Sequence, residues 1–252
     1  MVTPMPEPEV DDVDEMMVVT PPPTPDDMMN VDTPTPVPPI PTEEEPEDDG
    51  RCQPANGVPG RPSTIPEAII LLNTLPKPVT LECFLQALDR PLTIYATKSG
   101  DSLQPSPGER SPRTFILNGD LEMSIVFEGL ASNTLEFGYR PEIARSIKAE
   151  IVFPIMTDVS ESTLFSRVQV TERTTVCGGC HVGEAKEEFP GFVNGVFASD
   201  VIVPFDMDEV SLDTMRAQAA SCDAEAEPYR CSLYSALFGE DDFVPGKVLG
   251  VE

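Results

Sequence analysis

The chain has no tryptophan, a single histidine and few basic residues: 16 Lys and Arg stand against 44 Asp and Glu. Each scarcity closes off a class of function. A formal charge of −28 repels polyphosphate, so nucleic acid is not an expected partner. No apolar run is long enough for a membrane-spanning helix. Residues 1–20 lack the basic start and apolar stretch of a secretory signal. With one imidazole, a Ser-His-Asp or Cys-His arrangement would have to be built on His181. Phosphate-binding glycine loops and calcium-loop patterns are missing as well.

What is present divides unevenly. Residues 1–50 hold fifteen acids and no base, with 13 of the 29 prolines and six of the ten methionines. One sign of charge, much proline and few apolar groups cannot build a core. Residues 1–60 therefore read as a disordered, acidic, Pro-rich tail with local polyproline II around Pro21-Pro22-Pro23. Such a spacer suits the link between a surface anchor preceding the chain and a folded head.

The stretch that names a chemistry is Cys177-Gly178-Gly179-Cys180-His181. C-x-x-C-H places two thiols within reach of the two vinyl groups of a haem and an imidazole beneath the iron. These five residues resemble the haem-attachment signature of c-type cytochromes. The resemblance implies a covalently held haem c with Cys177 and Cys180 as attachment points and His181 as proximal iron ligand. Bis-histidine ligation is excluded, since no second histidine exists. By the same resemblance, a methionine after the motif, Met207 or Met215, is the expected sixth ligand. The implied role is electron transfer with a redox partner protein, outside the cytoplasm, in the periplasm or at the cell surface. Two other readings use the same residues. Cys177 and Cys180 can pair as a short-loop disulfide, or the trio can supply three ligands to zinc. A thioredoxin-like dithiol fits less well, because strand-like sequence rather than a βαβ pattern precedes the motif.

Four further cysteines, Cys52, Cys83, Cys222 and Cys231, allow three pairings. Sequence separation favours Cys52–Cys83 with Cys222–Cys231, and an even set favours an oxidising compartment. With Cys177–Cys180 as a third bridge, the alternative protein is a cofactor-free, disulfide-stapled surface or secreted β domain, serving as a binding or structural module on a stalk.

The rest reads as a mostly β, α+β fold. Residues 61–170 form a helix and an antiparallel β domain; residues 171–252 carry the C-x-x-C-H segment and two C-terminal helices packed on it. Thr80 caps a short helix whose face is Leu81, Phe84, Leu85 and Leu88. From Leu92 the period becomes two. Residues 93–97, 113–117, 120–127, 135–139, 147–153 and 164–170 read as strands, the second and third joined by an Asn118-Gly119 hairpin. Short crossovers require antiparallel pairing, in a small β-sandwich-like or curled sheet. Residues 201–203 add an edge strand, and residues 208–220 and 230–238 are helical.

Overall fold

The computed structural model describes residues 51–55, 57–100, 102, 104–202, 205–239 and 242–247. The expected tail, apart from its last residues, lies outside these.

Two short helices come first, each started by a threonine. Thr64 Oγ1 accepts from the Glu67 N–H at 3.2 Å and opens α1, Ile65–Thr74. Thr80 Oγ1 accepts from the Cys83 N–H at 3.1 Å and opens α2, Leu81–Gln86. Both supply an acceptor to an N–H that the helix itself leaves unpaired. Then follow β1 (Leu92–Thr97), β2 (Arg113–Asn118), β3 (Leu121–Ile125), β4 (Thr134–Glu142) and β5 (Arg145–Val152). After α3 (Glu161–Val168) come β6 (Gln169–Thr171), β7 (Thr174–Thr175), β8 (Ala185–Glu187) and β9 (Val196–Asp200). Helices α4 (Leu212–Ala220) and α5 (Pro228–Phe238) precede a last strand, β10 (Phe243–Pro245).

Eight strands make one sheet in the order β10-β1-β2-β3-β4-β5-β9-β8, while β6 and β7 form a separate hairpin. Every neighbouring pair in the sheet is antiparallel except β1 and β10, which run parallel. The fold is thus the mixed one expected, a large sheet with five short helices. The segment after residue 171 is built into that sheet through β8 and β9.

Alternation decides which face is core. Leu121, Met123 and Ile125 of β3, Leu135 and Phe137 of β4, and Ile147, Ala149 and Ile151 of β5 are all buried. They join Leu71 and Leu72 of α1, Phe84 of α2 and Leu233 and Leu237 of α5 in one cluster. Each such side chain stabilises the fold by about 1.5–3 kcal/mol relative to exposure. Two disulfides, Cys52–Cys83 and Cys222–Cys231, brace this side, the first onto α2 and the second across the α4–α5 connection. That is the locally favoured pairing.

Four local expectations need correction. Residues 164–168 are the end of α3, not a strand. Leu164 and Val168, four apart, are its buried pair, and the Ser160 N–H donates to Thr163 Oγ1 at 3.1 Å to start it. The hairpin turn is Gly119-Asp120, because Asn118 still pairs with Leu121; Gly119, at φ +60°, supplies the left-handed conformation. Near residue 201 the strand lies earlier, at Val196–Asp200, and Val203 is outside the described residues. Helix α4 starts at Leu212 rather than 208, since Ser211 caps it by accepting from the Thr214 N–H at 3.2 Å.

Candidate functional site

The face of the sheet opposite the core carries the other alternate row. Across β3, β4 and β5 the register aligns Glu122, Gly138 and Lys148 in one line and Ser124, Glu136 and Glu150 in the next. From β2 come Arg113 and Phe115. This row is unusually charged and only partly exposed. Arg113 spans it, pairing with Glu136 at 2.5 Å and donating to Ser124 Oγ at 3.1 Å. Glu122 lies 3.8 Å from Arg140, and Glu150 lies 3.2 Å from Arg167. Burial pushes the carboxyls of Glu122 and Glu150 up from the ordinary range. Burial likewise pulls the Lys148 amine down, against the opposing pull of Glu122. Gly138 makes room between them: a Cβ there would lie 3.0 Å from Lys148 Nζ and 3.5 Å from Glu122 Oε2.

Above this floor sits the C-x-x-C-H loop. The β6–β7 hairpin delivers it, and the Val176 N–H closes on Val168 O at 2.8 Å. Cys177–Gly179 is a single 3₁₀ turn, extended by the His181 N–H donating to Cys177 O at 2.8 Å. Glu184 locks the turn from beneath. Its carboxylate accepts from the Thr175 N–H at 2.8 Å and from the Thr175 hydroxyl. Glycine at 178 leaves room for that carboxylate, since a Cβ would fall 2.6 Å from Glu184 Oε1 and displace it. The far end is tied to β9. The Asp200 N–H donates to Val182 O at 2.9 Å, and Arg145 of β5 donates to Gly183 O and Asp200 Oδ1, each at 3.0 Å.

Between loop and sheet lies a cavity of about 460 Å³, within the range of small-molecule and cofactor sites. Cys177, Cys180 and His181 line it together with Val168, Val176, Phe115, Phe137, Ile202 and Phe205, and with the charged floor. Both thiols are unpaired, so the chain forms two bridges among its described residues, not the three of the cofactor-free alternative. Burial raises the Cys177 thiol above its usual pKa. His181 Nδ1 lies 3.1 Å from Asp200 O. A carbonyl only accepts, so Nδ1 carries the proton and Nε2 keeps its lone pair in the neutral ring. Burial, with Lys148 nearby, lowers the His181 pKa and favours that neutral form.

These residues fit a covalent haem: two free thiols, one imidazole with an oriented second nitrogen, and apolar walls at one cavity. For zinc, no group of three His, Cys, Asp or Glu side chains able to hold a metal ion occurs among the described residues. The methionines expected as sixth ligand are elsewhere. Met207 is 83% exposed and Met215 is fully buried in the core, and neither lines the cavity.

Arg113, Glu122, Gly138, Lys148 and Glu184 are site residues that motif reading passes over. The signal for the first four is the polar row of strands whose apolar row is core. Charge recurring at alternate positions of three central strands marks a covered polar face. Comparison with protein-family models, curated proteins and solved structures yields no match.

Proposed function

We propose that the protein is an extracytoplasmic, monohaem, c-type cytochrome-like electron carrier. One observation carries this reading: Cys177, Cys180 and His181 line a single cavity of about 460 Å³ with both sulfurs unpaired. Two disulfides elsewhere in the fold suit an oxidising compartment.

A bound haem supplies a reversible one-electron couple. The chain's residues do the rest. Cys177 and Cys180 would hold the group covalently, each as a thioether to one vinyl side chain. His181, held in tautomer and orientation by the carbonyl of Asp200, would present Nε2 as the ligand to the iron. Glu184 and Arg145 keep the loop in place, so that the imidazole is positioned before ligation. Phe115, Phe137, Ile202 and Phe205 give the cavity apolar lining, the first two buried and the last two more than half exposed. Arg113, paired with Glu136, sets the field beneath.

The test is an intact mass and a pyridine haemochrome spectrum on protein produced with c-type haem-attachment machinery. A gain of one haem and a Soret band are expected. An unmodified mass without a Soret band defeats the proposal. The second reading, a cofactor-free binding module, is favoured in that event by the cavity itself, which suits a small amphipathic ligand.

A further inference from the structure

We infer that Lys148 supplies the second axial donor to the haem iron, opposite His181. This rests on the haem reading proposed above, and it follows from which donor atoms reach the cavity.

Haem iron in electron carriers takes nitrogen or sulfur at both axial positions. There is no second histidine in the chain. Among the described residues no methionine lines the cavity: Met156 and Met207 are largely exposed, and Met215 and Met123 belong to the core. The carboxylates of the floor are hard oxygen donors, each already facing a guanidinium: Glu136 on Arg113, Glu122 on Arg140, Glu150 on Arg167. Once the two thiols and His181 are assigned, one side-chain nitrogen suited to iron remains among the described lining residues, the amine of Lys148.

Its setting agrees. Lys148 belongs to a central strand, on the face of the sheet that the C-x-x-C-H loop covers, so amine and imidazole come to the cavity from facing elements. Gly138, directly across in register, leaves the space over the strand open to the amine. The closest ion pair of Glu122 goes to Arg140 instead, and Lys148 makes no hydrogen bond or ion pair among the described residues. A long cationic side chain on a half-buried floor, without a bonded counter-ion, is costly. Coordination removes that cost: the amine gives its proton to solvent and donates the freed lone pair to iron, with no change in iron oxidation state.

The experiment uses the full-length, haem-loaded protein in the ferric state, examined by visible, near-infrared and electron paramagnetic resonance spectroscopy. The wild type is expected to be low-spin and to lack the charge-transfer band of a sulfur–iron bond. Lys148→Ala and Lys148→Arg should both become predominantly high-spin, the arginine variant because it keeps the charge but cannot ligate. Lys148→Met should return to low spin and gain the sulfur–iron band. A high-spin wild type, a wild-type sulfur–iron band, or a low-spin signal that survives both the alanine and arginine changes overturns the assignment. The wild-type spectrum decides even where a variant fails to fold. A wild-type mass without haem is a different failure, of the haem reading itself, and takes this assignment with it.

Discussion

Two neighbouring glycines in the motif have different reasons to be there. A Cβ on Gly178 would press into the Glu184 carboxylate, whereas one on Gly179 meets nothing within 4 Å. Gly178→Ala is therefore expected to lower both the melting temperature and the yield of covalent haem, while Gly179→Ala leaves both unchanged; thermal melts and intact mass read this out. Glu184→Ala strands the Thr175 N–H and hydroxyl and should cost about 1–3 kcal/mol, measured by urea denaturation. Tyr234 makes a separate prediction. Its ring stacks on Phe127 at 3.9 Å, its hydroxyl donates to Arg110 O at 3.0 Å, and burial raises its pKa to about 12. A folded value above the unfolded one, near 10, means that stability is fully present below pH ~10 and lost as pH rises toward ~12. The loss should be about 2–3 kcal/mol, at about 1.4 kcal/mol per pH unit. Urea midpoints at pH 9 and pH 11.5 should show the fall, and Tyr234→Phe should flatten it.

Among the elements, the strands of the core face were legible because their apolar residues alternate without interruption: Leu121, Met123, Ile125 and Ile147, Ala149, Ile151. Helix α3 was not. It runs directly into the β-branched stretch from Val168 to Val176, and what sets the helix apart is the Ser160–Thr163 contact plus burial of Leu164 and Val168 four residues apart. The site was half legible. Cys177, Cys180 and His181 announce themselves by spacing, but the floor is assembled by register between successive strands β2 to β5, which a motif does not report. Gly138 is the sharpest case: its meaning lies in Glu122 and Lys148 on the strands either side. Gly138→Leu should fill that gap. The protein is expected to fold, with near-unchanged circular dichroism, yet to hold less covalent haem by intact mass.

At the scale of the whole molecule, two cross-links act on the unfolded chain more than on the folded one. They close loops with sequence separations of 31 and 9 residues. In the chain-entropy account, these correspond to roughly 3.5–4 and roughly 2.5 kcal/mol. Replacing Cys52 and Cys83 together by serine should thus destabilise more than replacing Cys222 and Cys231, as a larger shift of the urea midpoint with an altered slope. The charge of −28 adds self-repulsion, which salt screens, so raising ionic strength should partly restore either variant. The parallel partnership of β10 with β1 has a consequence of another kind. Leu92, Thr93 and Ile94 wait for Phe243, Val244 and Pro245, about 150 residues downstream, before that rim of the sheet is covered. During folding the rim stays bare until Phe243 to Pro245 have docked on it. A nonsense codon just ahead of Phe243 would leave it bare for good, open to a second molecule's strand.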